Sequence, residues 1–244
     1  MKAIILAAGV GSRLRPYTDD KPKCLLEVAG HPVLEYQLNA IRKCGIIDIA
    51  IVTGYCGDKI KTYCESAQIP VTIIYNSEYL TTNNAYSIWL ARDYASSAQD
   101  GCLVINSDLI FRPAMLKLLI DSPDPDAIIV DSIKDITTDM VKAQMRGKRI
   151  IHASKDLAAH LAGAEVVGPA KFSRQGAAQF MDHIEAPIKA GDKNRWFFYS
   201  LGDFGKANNL IGVENPGYFW AEIDTPEDLS AAREKTPANF IEID

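Results

Sequence analysis

The residues best equipped for chemistry come early. Leu6-Ala7-Ala8-Gly9-Val10-Gly11-Ser12 is a stretch of mostly small residues, and Arg13, Arg15, Lys21 and Lys23 follow it closely. Small residues let backbone N–H groups close on an anion, and the four cations add side-chain charge. Together they suit a polyphosphate, which needs directed donors and positive charge at once. Two other phosphate loops are excluded by spacing. No Lys stands after Gly9 or Gly11 as a Gly-x-x-x-x-Gly-Lys-Ser/Thr loop requires, and Leu14 occupies the position where a dinucleotide turn needs its third small residue. Ser12 therefore reads as a loop donor, since no Gly-x-Ser-x-Gly elbow surrounds it.

A polyphosphate also needs a hard cation. Asp108 and Asp224 each stand where an apolar strand opens into a turn. Two carboxylates suffice for Mg²⁺, which takes its remaining ligands from phosphate oxygens and water. Asp224, just before Thr225-Pro226-Glu227, has a second reading as a plain helix cap. Glu222 points the same way along its strand and is a candidate ligand or acceptor contact. His31, His152, His160 and His183 lack zinc spacing.

The early run resembles the signature Leu-Ala-Ala-Gly-x-Gly-x-Arg-Leu-x-Pro-x-Thr with a later Lys-Pro-Lys, which belongs to the nucleotidyltransferases that act on sugar phosphates and alcohol phosphates. Glu222-Ile223-Asp224-Thr225-Pro226-Glu227-Asp228-Leu229 matches a late segment of the same family. Asn83-Asn84-Ala85-Tyr86-Ser87 resembles the Asn-Asn-x-x-Ser string of the cytidylyltransferases for phosphocholine and 2-aminoethylphosphonate, and Gly163 to Ser173 is similar to a second pattern of that branch, shifted by the extra Ala164. The resemblance implies transfer of CMP from CTP to a small phosphate or phosphonate acceptor, with release of pyrophosphate. It implies backbone from Ala8 to Ser12 on the β- and γ-phosphates, Leu6 and Ala7 beside the nucleotide, Arg13 on the leaving pyrophosphate, Lys23 on the α-phosphate, and Mg²⁺ on Asp108 and Asp224. Asn83, Asn84 and Ser87 would bind the base. Cytosine is carried by the resemblance alone, because a carboxamide can present either its oxygen or its NH₂. A sugar-1-phosphate enzyme using UTP, dTTP or GTP shares the first motif, and a catalytically silent nucleotide-binding module is the alternative of another class.

The acceptor end is less marked. Trp196-Phe197-Phe198-Tyr199, with Tyr218 and Trp220, would either pack a core or enclose a cationic acceptor. Asp203 is near enough in sequence to meet a primary ammonium, so Trp196, Tyr199, Asp203 and Glu222 stand as acceptor contacts.

The elements that must hold these residues follow from periodicity. Apolar runs predict strands over 2–6, 46–53, 71–75 and 102–105, alternating with helices after Pro32, Gly54 and Asn84. That order predicts an α/β fold, a doubly wound, mostly parallel Rossmann-like sheet whose ligands lie beyond the carboxyl ends of the strands. Further on, a helix over 113–120, a strand over 127–131 and an antiparallel pair turned at Gly147 suggest a small antiparallel extension. A strand over 164–170, a helix over 176–184 and a last strand over 218–223 complete the chain, while 155–162 shows no clear pattern. The 244 residues read as one domain with no linker, long enough to bury roughly 70–75% of the unfolded surface.

A net charge of −5 argues against nucleic acid. Five cysteines without a Cys-x-x-Cys pair suit a reducing cytoplasm, and no stretch reaches the roughly 20 apolar residues of a membrane span. Oligomeric state is open, a homodimer included.

Overall fold

A computed structural model describes residues 1–132, 137 and 140–242. Strand β1 (Lys2–Ala7) leads through the glycine loop and two short 3₁₀ turns to a two-residue hairpin, β2 (Glu27–Val28) and β3 (His31–Pro32). Helix α1 (Val33–Lys43) begins directly after Pro32, as its fixed φ favours. Then come β4 (Ile49–Thr53), α2 (Gly57–Ser66), β5 (Thr72–Tyr75), α3 (Asn84–Leu90), α4 (Arg92–Ser96) and β6 (Cys102–Asn106). The single helix expected after Asn84 is thus two helices, parted at Ala91.

The second half runs β7 (Leu109–Phe111), α5 (Pro113–Asp121), β8 (Ala127–Asp131), β9 (Lys142–Arg146), β10 (Arg149–Ser154), β11 (Ala164–Phe172), α6 (Arg174–Lys189), α7 (Phe197–Ala207), β12 (Ile211–Glu214), β13 (Trp220–Glu222) and α8 (Pro226–Lys235). Nine strands form one sheet in the order β5-β4-β1-β6-β11-β8-β12-β10-β9. The β5-β4-β1-β6 part is parallel, as the alternating β–α order predicts. Antiparallel pairing enters at β11, which joins β6 to β8, and continues through β10 and β9, so the sheet is mixed. Strand β12 returns parallel to β8.

Alternation along the parallel strands sends side chains to two cores. Ile4, Leu6, Val104, Ile128 and Val130 pack with Ile88 of α3, Phe180 and Ile184 of α6, and Phe197 and Phe204 of α7. Ala3, Ile5, Ile51, Leu103 and Ile105 pack with Leu34 and Ile41 of α1, Ile60 of α2 and Leu116 of α5. Helices therefore cover both faces, and the loops that leave the carboxyl ends of β1 and β6 emerge on one edge.

The ribbon of β7 and β13 matters most for that edge. Glu222 pairs with Leu109 across it, and the Ile223 N–H donates to the Asp108 carbonyl at 2.9 Å. Backbone pairing alone thus brings the end of the chain to the turn after β6.

Candidate active site

Leu6, Ala8, Gly9, Val10, Gly11, Ser12, Arg13 and Lys23 line one side of a cavity of about 580 Å³. The glycine loop is held from beneath. Gly11 lies at φ +66°, a conformation glycine adopts without strain. The fully buried Thr18 donates its hydroxyl to the Gly11 carbonyl at 2.8 Å, and the Tyr55 N–H donates to the Ala8 carbonyl at 3.1 Å. Ala7 is the one member of the expected loop that faces away, its side chain belonging to the α1 and α2 core. Of the four cations only Arg13 and Lys23 reach the cavity, while Arg15 pairs with Asp19 at 3.4 Å.

Asp108, Glu222 and Asp224 meet in the same cavity, with one oxygen of each within 4.8 Å of the others. Gln37, wholly buried on α1, donates its amide to the carbonyls of Asn106 and Leu109, each at 2.8 Å, and so clamps the turn that presents Asp108. At the other end Thr225, not Asp224, caps α8. Asp228 Oδ2 accepts from the backbone N–H groups of both Asp224 and Thr225 at 3.1 and 2.9 Å, closing a capping box. The side chain of Asp224 is left free for the cavity.

Lys23 Nζ lies 2.5 Å from Asp108 Oδ2 and 2.9 Å from Asp224 Oδ1, and Arg13 reaches Asp224 Oδ2 at 2.7 Å. Burial pulls the Lys23 pKa down, but the charges of Asp108 and Asp224 and their hydrogen bonds outweigh it and raise the net value, so Lys23 is a fixed ammonium. Asp224 answers in the opposite sense: burial favours its neutral form, yet Lys23, Arg13 and Lys155 hold it below the usual carboxylate range. Glu222 opens onto the cavity but is crowded by protein, and burial followed by repulsion from Asp108 and Asp224 pushes its pKa up to about 8. Asp108 Oδ1 is buried with no hydrogen-bond partner. Three convergent carboxylates, with an orphaned acceptor on Asp108, fit a hard divalent cation such as Mg²⁺.

Asn83, Asn84 and Ser87 also line the cavity, with Asn76, Tyr79 and Thr82. Asn83 is also the cap of α3, its Oδ1 accepting the Asn84 N–H at 2.8 Å, so the capping and cavity readings hold together.

The acceptor side differs from expectation. Trp196 and Phe198 line the cavity, but Tyr199 and Asp203 are absent from its lining. One turn apart on α7, they turn to other partners: the Tyr199 hydroxyl donates to Asp156 at 2.8 Å, and Asp203 pairs with Arg195 and with Lys206 at 3.3 Å. Tyr218 packs in the core and Trp220 Nε1 donates to Asp131 at 2.7 Å, so no aromatic cage forms from the six. Glu222 sits with the carboxylates. Lys171, from the shifted second pattern, donates to the carbonyls of Ile120 and Ser122 at 3.3 and 2.8 Å and stays out of the cavity. Lys155 is in it, 5.8 Å from the centre of the Trp196 ring. It follows β10 in a stretch without periodicity, and no signal in the sequence isolates it.

A sequence profile of the MobA-like NTP transferase domain matches residues 3–179. The CTP:phosphoglutamine cytidylyltransferase of Campylobacter jejuni is 31% identical over 96% of this chain and 100% of its own. The choline-phosphate cytidylyltransferase of Streptococcus pneumoniae is 42% identical over 38% of this chain and 40% of its own. The solved CTP:phosphocholine cytidylyltransferase of Streptococcus pneumoniae superposes with a TM-score of 0.80 and 25% identity, covering 96% of this chain and 97% of that one.

Proposed function

Because this chain belongs to the MobA-like NTP transferase family, we propose that it transfers CMP from CTP to a small phosphate- or phosphonate-bearing acceptor and releases pyrophosphate. One observation carries the reading. The glycine loop, the Lys23 ammonium, three carboxylates and the carboxamides of Asn83 and Asn84 share a single cavity. Relatives that couple CTP to phosphoglutamine and to phosphocholine support the choice of nucleotide and of acceptor class.

The acceptor phosphate is its own nucleophile. Its second pKa is about 6, so it is largely dianionic at neutral pH and needs no general base. The chain must then supply position and charge. Backbone from Ala8 to Ser12 holds the β- and γ-phosphates, Arg13 steadies the leaving pyrophosphate, and Lys23 neutralises charge on the α-phosphate as the acceptor oxygen attacks in line. Asp108 and Asp224, with Glu222 beside them, would hold Mg²⁺, which offsets phosphate charge when bound. Glu222 ionises more readily beside such a cation, because the cation opposes the repulsion that raises its pKa. Asn83, Asn84 and Ser87 receive the base.

Lys155 suits the acceptor phosphate. It already stands over the Trp196 ring, so this corner attracts an anionic oxygen more than a quaternary ammonium. Phosphorylated amino acid derivatives therefore stand beside phosphocholine and 2-aminoethylphosphonate as acceptors. The five free thiols suit a reducing cytoplasm, and no described helix is long and apolar enough to cross a membrane.

The test is pyrophosphate release with Mg²⁺, each of the four NTPs, and phosphocholine, 2-aminoethylphosphonate, phosphoglutamine, glycerol phosphate and glucose-1-phosphate as acceptors. Turnover with CTP and a non-sugar acceptor is the expected result. Turnover confined to glucose-1-phosphate would overturn the reading.

A further inference from the structure

A pair of carboxamides can serve any base until something fixes which atom each one shows. In this fold something does. Asn84 Oδ1 accepts the Phe197 N–H at 2.7 Å, from the first residue of α7. A backbone N–H only donates, so the amide oxygen must face α7 and the NH₂ is turned the other way. Asn83 Oδ1 is committed to the Asn84 N–H at 2.8 Å. Ser87 Oγ accepts from Asn76 Nδ2 at 3.2 Å, leaving its hydroxyl hydrogen to give. All three residues line the cavity, and neither NH₂ has a hydrogen-bond partner among the described residues.

The segment before α7 is tied to the same turn. The Asn83 N–H donates to the Lys193 carbonyl at 3.1 Å. The Lys193 ammonium contacts both oxygens of Glu78 at 3.1 and 2.8 Å, and Glu78 also accepts from the Tyr86 hydroxyl at 2.6 Å. The α6–α7 connection, the loop before α3 and α3 itself thus hold the Phe197 N–H against Asn84.

We infer that the α6–α7 connection sets the base preference, by holding the Phe197 N–H on the Asn84 oxygen; with the Asn83 oxygen spent on the Asn84 N–H, donors are left to face the nucleotide. Cytosine presents N3 and O2 as neighbouring acceptors. Uracil carries hydrogen on N3, which would meet the Asn84 NH₂ donor against donor, and a buried unmatched pair of this kind costs affinity. The inference rests on the CMP-transfer reading and extends it, assigning the choice between pyrimidines to Asn84, with Lys193 and Glu78 as positioning residues that act through it.

Calorimetric titration of the whole chain with CTP and with UTP, both with Mg²⁺, tests this without an acceptor. The parent should bind CTP at least about 10-fold more tightly than UTP. Asn84→Asp keeps an oxygen for the Phe197 N–H but replaces the NH₂ with an acceptor. Its added charge weakens both nucleotides alike, and the CTP-to-UTP affinity ratio should fall by about 10–100-fold. Lys193→Met, which loosens the connection from outside the cavity, should lower the ratio by a smaller factor.

Equal binding of CTP and UTP by the parent, or an unchanged ratio in Asn84→Asp, overturns the assignment to Asn84. An unchanged ratio in Lys193→Met overturns the role of the connection, and that variant decides alone if Asn84→Asp does not fold. The proposed transfer reaction survives these results, since pyrophosphate release tests it separately. A parent that binds neither nucleotide would contradict both.

Discussion

Lys23 bridges two carboxylates that would otherwise repel each other. An ammonium held this way keeps its proton across the working pH range, so it serves as a charge and neither as a base nor as a nucleophile. Lys23→Ala removes one donor from the transition state and should lower kcat by about 10²- to 10³-fold. Steady-state kinetics beside a circular dichroism spectrum check this: equal kcat in mutant and parent removes Lys23 from the chemistry. At this scale the sequence was most informative where a residue type is tied to a local turn. Gly9, Gly11, Lys23, Asp108 and Asp224, each singled out by a local turn or strand end, all line the cavity. Tyr199 and Asp203 do not, because nearness in sequence does not tell which side of a helix faces a ligand. Lys155 and Gln37 went unread since each acts across a fold that local pattern cannot reveal.

The elements that carry the carboxylates are short, and their strength lies in how they end. The ribbon of β7 and β13 aligns Leu109 with Glu222, while the capping box of α8 fixes the backbone of Asp224 through Asp228. Thr225→Ala removes the cap hydroxyl at a cost of about 1 kcal/mol. Tm should fall by roughly 2–4 °C, and KM for the nucleotide should rise with it as Asp224 loosens. A Tm equal to the parent's would show that the box does not support the helix. The parallel strands and α8 were legible because apolar runs and caps are local signals. Strands β7 and β12 are too short to show a period. Helix α7 was hidden by Gly202 and Gly205, poor helix formers on any scale. The fold needs both, since a Cβ at Gly202 would lie 2.8 Å from the Ala153 nitrogen and one at Gly205 would lie 2.6 Å from the Ile150 carbonyl oxygen. Close packing of α7 on β10 overrides helix propensity there.

Over the whole molecule, a parallel half supplies the phosphate loop and a mixed half delivers the distant residues to it. The direction of β11 was not legible, because a strand buried on both faces reads alike whichever way it runs. Its reversal has an electrostatic consequence. Glu165 on β11 stands opposite Asp131 on β8, and burial, then repulsion from Asp131, pushes the Glu165 pKa up to about 7 from an ordinary 4.5. Asp131 meanwhile accepts from Trp220 and Asn215 at 2.7 and 3.1 Å. The folded chain thus holds a proton that the unfolded chain releases, and stability falls as pH rises from about 4.5 to about 7. Glu165→Gln should raise Tm at pH 8, and the gain should shrink toward zero as pH drops below 5. Thermal melts across that range decide it, and a gain independent of pH would refute the assignment.

CMP transfer leaves the α-phosphorus of CTP bonded to the acceptor oxygen. CTP labelled at that phosphorus, incubated with Mg²⁺ and the acceptor that supports turnover, should yield a product in which the label joins cytidine to the acceptor, with one pyrophosphate released per product. Mass spectrometry of that product reads the bond directly. Label recovered only as free CMP, or retained in CTP while the acceptor is altered in some other way, would rule out CMP transfer to the acceptor.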